Sequence, residues 1–424
     1  MRILIKNVSL LQKDKVLENV NMLINDDLIE YIGKESPKEY EYVIDGDKKL
    51  AMPGLVNAHT HLAMTIFRGF ADDLPLKEWL ETKIWPNEAK LNEEDVYWGS
   101  LLGALEMIKT GTIAFSDMYF FMDRVAEVVE MSGLKANLSI GMIATFGNPD
   151  EKLKESLDFA KRWNKKANGR ILVSLAPHAP YTCPPQFLEK VVDKALAYDL
   201  MIHTHLSETY GEVIEIKEKY GETPIRLMEK VGLFKARVIA AHCVYVDNEE
   251  IEILAQNHVG VVHNPQSNLK LASGIAPISE MLEKNVLVGL GTDGASSNNN
   301  LDMWEEMRLS ALLHKGYKKD PTVVPSHVAL SLATENGMKI IGFNNSGVID
   351  VGKKADLILV DLNKPHFYPR FNLISHLVYS ANSQDVDTVI VDGRILMEGK
   401  EVKVLDEERI MYEAEKRAFD LVRR

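Results

Sequence analysis

The spacing of hydrophobic and polar positions changes twice along the chain. Over the first fifty residues the period is two. RILIKN, ENVNMLIN and LIEYIG alternate apolar with polar positions and are broken by charged turns, which predicts short strands with one buried face. No helical period is visible there. VIDGDKKLAMPG follows, with Gly46 and the Pro53-Gly54 pair as punctuation. From residue 55 the rhythm becomes an alternation of two kinds of segment. Eight apolar runs of β type follow one another: LVNAHTHL, TIAFSDMY, NLSIGMIAT, ILVSLAPH, MIHTHLSE, VIAAHCVY, GVVHNPQS and VLVGLGTD. Between them lie stretches of helical period such as EEDVYWGSLLGALEMIKTG, DEKLKESLDFAKRWNKK and DNEEIEILAQN. Parallel strands need crossover connections, usually helices, so eight strand–helix units in a row predict a closed (β/α)8 barrel. An open doubly wound sheet shares the rhythm, but no GxGxxG turn follows a strand.

After about Gly347 the period returns to two, in GVIDVGKKADLILVDL and VDTVIVDGRILMEGKEV. The texture matches that of the first fifty residues. The expected organisation is therefore an α/β chain in two units: a barrel over residues 54–346, and a small β unit assembled from residues 1–53 and 347–424. The second piece of that unit includes a closing helix, DEERIMYEAEKRAFDLVRR, whose acidic start suits a helix N-terminus.

The length of 424 residues accommodates one large domain and a smaller one. A net charge of −13 argues against nucleic acid or an anionic membrane as partner, while leaving a nucleoside open. Only two cysteines occur, Cys183 and Cys243, too few for a disulfide framework and in keeping with a reducing cytoplasm. No basic-then-apolar leader opens the sequence, and no uncharged apolar run is long enough to span a bilayer.

Candidate chemistry starts with MPGLVNAHTHLAM, where His59 and His61 stand two positions apart. On a strand both imidazoles project from one face and can share a metal ion. Taken alone, the pair is better explained as two strand-end histidines without an ion. Barrel active sites, however, gather at the C-terminal ends of the strands. Those ends carry His59 and His61 (first run), His178 (fourth), His205 and Glu208 (fifth), His242 (sixth), His263 (seventh) and Asp293 (eighth). Imidazole and carboxylate donors suit a divalent metal such as zinc, and His59, His61, His205 and Asp293 would offer three nitrogens and one oxygen. His203 shares a strand face with His205, and spacing does not choose between them, though His203 reads more readily as a packed or supporting histidine. A bound ion lowers the pKa of water, and Glu208 stands where it can shuttle protons; an acid at a helix start is also what the helix dipole favours. His178 lies between prolines in APHAPYTCPP, Glu88 reads by composition as a solvated helix charge, and TDGASSNNN suits a loop that approaches a ligand closely. The HxE and PCxxC pattern of the other zinc deaminase class is absent, since Cys183-Pro184-Pro185 has no partner cysteine. No phosphate loop or serine-nucleophile elbow is present.

PGLVNAHTH, HTHLSE, HNPQSNLKL, GTDGASSNN and GKKADLILVD, in this order, resemble the metal-dependent amidohydrolase superfamily. The chain is most similar to its 5′-methylthioadenosine/S-adenosylhomocysteine deaminases and to the archaeal 5′-deoxyadenosine deaminases. The resemblance implies a distorted (β/α)8 barrel with a β-sandwich built from both termini. It implies one zinc held by His59, His61, His205 and Asp293, with iron(II) or manganese(II) suited to the same donors. It places Glu208 and His242 in proton transfer and water orientation, with Asp293 taking a proton. Glu88 matches an acid on the ribose hydroxyls, His178 a substrate-binding histidine and Ser297 a further ribose contact. The family also suggests a homo-oligomer, often a tetramer, recycling S-adenosylmethionine by-products. One departure is informative. Many of these deaminases carry an arginine where this chain has Ile140, and a second aligns near Lys152. Losing a guanidinium removes a carboxylate-matching fork, so smaller, neutral 5′-substituents are expected. Guanine, triazines and cyclic amides remain alternative substrates of such a barrel. A non-catalytic scaffold relative would be expected to have lost a ligand or Glu208, and all are present.

Overall fold

The computed structural model describes residues 1–145 and 147–424. Eight parallel strands follow the eight apolar runs: Leu55–His61, Thr112–Tyr119, Lys135–Met142, Ile171–Pro177, Met201–Leu206, Val238–His242, Gly260–His263 and Leu287–Leu290. Each pairs in parallel with its neighbour in sequence. The eighth run is in two pieces. Leu287–Leu290 pairs with the seventh strand, and Asp293–Gly294 pairs with the first at Asp293↔Thr60. The circle closes through that run, so residues at the ends of the first and eighth strands are neighbours although more than two hundred positions separate them in sequence. The third strand begins at Lys135 rather than Asn137. A charged residue breaks the apolar pattern there, but the Lys135 ammonium is buried and neutralised by Asp356 and by Asp392 at 2.8 Å.

Helices fill the crossovers. Glu93–Thr110 starts from a capping box in which Asn92 and Asp95 satisfy each other's backbone amides, and it ends at Gly111, whose φ of 82° suits glycine. Before it, residues 76–88 run Leu76–Trp79, a π turn over Leu80–Ile84, and Trp85–Glu88. Pro86 has no amide hydrogen to continue an α ladder, which accounts for the irregular turn in front of it. This segment lies over the C-terminal ends of the strands and supplies one wall of the cavity described below.

The two ends of the chain form a second, nine-stranded sheet. Lys49–Pro53 lies between Arg2–Gln12 and Leu357–Asp361, so the N- and C-terminal halves interlock. The sheet curls until Ile3, Leu10, Met22, Ile44, Leu357 and Ile390 share one core. Two elements of the C-terminal region leave it. Leu373–Tyr379 packs on the barrel helices Met303–Lys318 and Ser326–Leu332, and Glu407–Arg423 packs on Glu93–Thr110. Periodicity alone groups that closing helix with the sheet; its contacts are with the barrel, where Arg424 reaches buried Asp95 through two hydrogen bonds of 2.7 and 2.9 Å. Among the described residues no helix is long and apolar enough to cross a membrane.

Candidate active site and metal centre

The strand ends converge on four side chains. One donor atom from each of His59, His61, His205 and Asp293 lies within 4.8 Å of all the others. Asp293 Oδ1 is 3.2 Å from His61 Nε2 and 3.5 Å from His59 Nε2, and His205 Nε2 is 3.3 Å from His61 Nε2. Four donors each about 2.0–2.1 Å from one tetrahedral ion stand about 3.3–3.4 Å apart. His59 Nε2 is buried and has no hydrogen-bond partner, as expected of a ligand atom whose partner is a cation. The donor set therefore fits a borderline divalent metal on geometry and chemistry alike.

Each imidazole is aimed by its other nitrogen. His61 Nδ1–H donates to the Met118 carbonyl at 2.6 Å, and His205 Nδ1–H to the His178 carbonyl at 2.8 Å. His59 Nδ1 meets His203 Nε2 at 2.8 Å, and His203 Nδ1 lies 3.3 Å from Ser116 Oγ. This answers the question left by spacing: His205 joins the donor cluster, and His203 stands behind His59. Such supports fix tautomer and ring orientation at metal sites. Burial holds His59 down to about 4 and His203 and His205 well below the usual imidazole range, which keeps their lone pairs free. His61 goes the other way. Burial would lower it, but the Asp293 carboxylate and the Met118 carbonyl raise it to about 9, so its proton sits where the protein field favours positive charge. Asp293 itself is held well below the carboxylate range by the two histidines, against the effect of burial.

A cavity opens beside this cluster and is lined by Glu88, His178, Tyr181, Glu208, His242 and Ser297 among others. Glu208 is buried; its Oε1 accepts from Ser273 Oγ at 3.2 Å and its Oε2 is 3.9 Å from His242 Nε2. Burial pushes its carboxyl up. His242 Nδ1–H donates to Asn268 Oδ1 at 2.8 Å, leaving Nε2 facing the cavity. Glu88 accepts from the Tyr119 hydroxyl at 2.7 Å, and burial raises its pKa, so it is no solvated surface charge. His178, whose Nδ1 lies 3.1 Å from Thr182 Oγ1, is held down to about 3 by burial. Ser297 Oγ donates to Asp293 Oδ2 at 3.0 Å, beside Ser267 Oγ at 2.7 Å. Non-glycine residues at the strand ends have positive φ, among them Ser207 (52°), His242 (75°), Cys243 (45°) and Asp293 (61°), the kind of strain that clusters where side chains must be aimed.

His263 does not join the site. It pairs with His314 of the flanking helix, Nε2 to Nε2 at 3.2 Å. The strand-end rule places it correctly along the chain, but the side chain turns towards the helix layer. Ile140 packs in the hydrophobic core, while Gly141 and Ile143 face the cavity; Lys152 pairs with Glu155 on a helix surface. Tyr119, Ser267, Asn268 and Ser273 were not singled out from sequence. Tyr119 ends the second strand and is reachable by the strand-end rule once phenol hydroxyls count. Ser267 and Asn268 lie inside HNPQSNLKL, whose spacing carries no mechanism of its own.

Comparisons with known proteins agree with this geometry. The model of the amidohydrolase family matches residues 50–396. A 5-methylthioadenosine/S-adenosylhomocysteine deaminase of Dictyoglomus turgidum is 66% identical over 425 residues, covering all of both chains. The crystal structure of an adenosine deaminase from Xanthomonas campestris with bound zinc superposes with a TM-score of 0.95 at 33% identity, covering 100% of this chain and 99% of that one. An atrazine chlorohydrolase from Arthrobacter aurescens complexed with zinc gives a TM-score of 0.93 at 25% identity, over 98% and 100% of the two chains. With the family model matched over most of its length and a relative 66% identical from end to end, the chain belongs to the amidohydrolase family.

Proposed function

We propose that the chain deaminates 5′-modified adenosines, converting 5′-deoxyadenosine, 5′-methylthioadenosine or S-adenosylhomocysteine, with adenosine as a further candidate, to the inosine analogues and ammonia. The observation that carries this reading is the joint placement, in one cavity, of the donor cluster, the Glu208–His242 pair and the carboxylate of Glu88. The first two suit hydrolysis at an amidine carbon, and the third suits a ribose diol through charge-assisted hydrogen bonds. Relatives that carry a deaminase name over their full length support it.

Zinc is the proposed ion, one per chain, on His59, His61, His205 and Asp293, with iron(II) or manganese(II) as substitutes. Bound there it supplies a Lewis acid that lowers the pKa of water towards neutrality. Asp293 accepts a proton from the attacking water, whose oxygen bonds to C6 of the purine. His242 Nε2 hydrogen-bonds that oxygen and stabilises the charge developing on it. Glu208, whose carboxyl burial favours in the protonated form, delivers a proton to N1. The C6–N bond then breaks: the amine takes the proton held by Asp293 and leaves as ammonia, while the C6 hydroxyl gives its remaining proton to Glu208, which forms the C6 carbonyl and restores both carboxyl groups. Glu88 binds the ribose hydroxyls, assisted by Ser297, and His178 contacts the substrate as a neutral donor or acceptor.

The wall around the 5′ position favours neutral substituents. Among the described residues lining the cavity none is lysine or arginine. The groove leading outward sets Lys77 against Glu81 and Glu215. Adenosylhomocysteine brings a carboxylate into that field, whereas 5′-deoxyadenosine and methylthioadenosine do not. The two-unit division at residues 53/54 and 346/347, a homotetramer and a cytoplasmic location complete the proposal. A spectrophotometric assay of zinc-loaded protein tests it, with the three 5′-modified nucleosides, adenosine, adenine, guanine and a triazine as substrates. The expected result is loss of adenine-type absorbance with the nucleosides, 5′-deoxyadenosine leading and adenine inert. Highest kcat/KM for adenosylhomocysteine overturns the substrate order, and turnover of guanine or the triazine alone overturns the reading.

A further inference from the structure

The turn that carries Glu208 leaves two amides without a partner from strand or helix. The fifth strand ends at Leu206, the next helix begins at Tyr210, and Ser207 between them sits at a φ of 52°. One side chain closes both gaps. Glu212 Oε1 accepts from Ser207 N at 2.9 Å, and Glu212 Oε2 accepts from Glu208 N at 2.8 Å. Glu212 is only 5% exposed, and its own amide is held by Thr209 Oγ1 at 3.1 Å. The carbonyl of Ser207 is fixed from the opposite side. It accepts from Val244 N and Tyr245 N, both at 3.0 Å, while Cys243 N donates to Leu206 O at 2.9 Å. Those three amides belong to the segment just after His242, where His242 and Cys243 also have positive φ, 75° and 45°. Thus the backbone bearing Glu208 and the backbone bearing His242 are joined through two consecutive peptide groups, Leu206–Ser207 and Ser207–Glu208, and Glu212 grips the amide side of both.

From this we infer that Glu212 is a positioning residue: its carboxylate straps the Ser207–Glu208 turn and so sets the 3.9 Å approach of Glu208 Oε2 to His242 Nε2. Burying a carboxylate is costly unless its oxygens are satisfied, and here each oxygen has one backbone donor and no cationic side chain. Its two bonds hold a strained joint in one orientation, which is what a proton-transfer group needs when about 1 Å of misplacement can cost about a hundredfold in rate. Glu212 itself has no place in binding the purine or the ion. The inference rests on the deaminase reading, because the quantity it controls is the chemical step.

The test compares wild type with Glu212→Gln, which keeps the volume but turns one acceptor into a donor facing an amide hydrogen. Glu212→Asp serves as a second variant that keeps the charge and withdraws it by one methylene. Each is measured for kcat, KM, bound metal per chain and amide hydrogen exchange of the peptide spanning residues 201–212. The expected result is a kcat lowered at least tenfold, with KM within about threefold, full metal content and faster exchange at Ser207 and Glu208. A folded, metal-loaded variant of either kind with wild-type kcat overturns the strap. So does a loss of activity that only tracks loss of metal or of folded protein. A wild type without turnover on any adenosine overturns the functional reading and the strap together, while slow exchange unchanged in both variants overturns the strap alone.

Discussion

Replacing His203 by alanine separates the supporting histidine from the ligands. His59 Nε2 can face an ion only if Nδ1 carries the hydrogen, and that hydrogen goes to His203 Nε2 at 2.8 Å. Both rings are fully buried, so no water stands ready to take over. Truncation leaves a buried N–H without an acceptor, which costs about 1–3 kcal/mol. Loss of an outer partner of this kind typically weakens metal binding about 10–100-fold, or about 1.4–2.8 kcal/mol, so the two estimates agree. The assay is competition for zinc against a chelator of known affinity, at fixed pH and ionic strength. His203→Ala should release zinc at about 10–100-fold lower chelator strength, whereas His205→Ala, which deletes a donor, should leave no stoichiometric ion. His203→Gln, whose side-chain carbonyl can accept from His59, should recover part of the loss. An unchanged affinity in His203→Ala refutes the supporting role. Complete loss there, with zinc retained in His205→Ala, means that the two histidines have been assigned the wrong way round.

Three further outcomes are expected. Glu208→Gln should keep its metal and lose about 10²–10⁴-fold in kcat, the range for a positioned acid–base group, as read by metal analysis alongside turnover. Glu88→Ala should raise KM for nucleosides by about 10–150-fold, the equivalent of one hydrogen bond to a charged group at about 1.5–3 kcal/mol; binding of free adenine, measured by competition, should be no worse. The third concerns acid stability away from the site. Burial holds His314 down to about 4, against about 6.5 when unfolded. The unfolded chain therefore binds more protons between these values, so this contribution is complete above about pH 6.5 and is lost as pH falls towards 4. Between pH 7.5 and 5.5 the loss is on the order of 1 kcal/mol, and thermal unfolding of His314→Gln should be less pH-dependent by about that amount.

Much of the barrel could be read from the chain because its signal is local. A fully buried parallel strand is a short apolar run, and all eight runs became strands. The errors fall where one residue's environment overrides its type. Lys135 lies in a strand because two aspartates from the C-terminal region neutralise it, and nothing near Lys135 in sequence announces them. The closing helix has an unambiguous period, but a period names no partner; its attachment to the barrel depends on Asp95, more than three hundred residues away. In the site, residue type and strand-end position were enough to find the donors. They were not enough to separate His203 from His205, which share one face of one strand. Nor could they show that His263 turns away, that Glu88 is sequestered by Tyr119, or that Ser267 reaches Asp293. Those facts are orientations fixed by tertiary packing, and pattern reasoning has no access to them.

The interlocked sheet also sets an order of assembly. Lys49–Pro53 is an apolar strand held on one side by only two residue pairs with Arg2–Gln12, and its principal partner is Leu357–Asp361. Some three hundred residues must be synthesised between the two, about 15–60 s at about 5–20 residues per second. The adjoining first barrel strand waits in the same way, since its second neighbour is Asp293–Gly294. A nascent chain therefore carries, for most of its synthesis, consecutive strands with open edges and apolar faces, a template for unwanted pairing. Neither the barrel nor the sheet can be completed by the N-terminal half alone. The same closure that brings Asp293 beside His59 and His61 delays the assembly of the donor cluster until more than two thirds of the chain has been made, so the ion can meet its full set of ligands only late in folding.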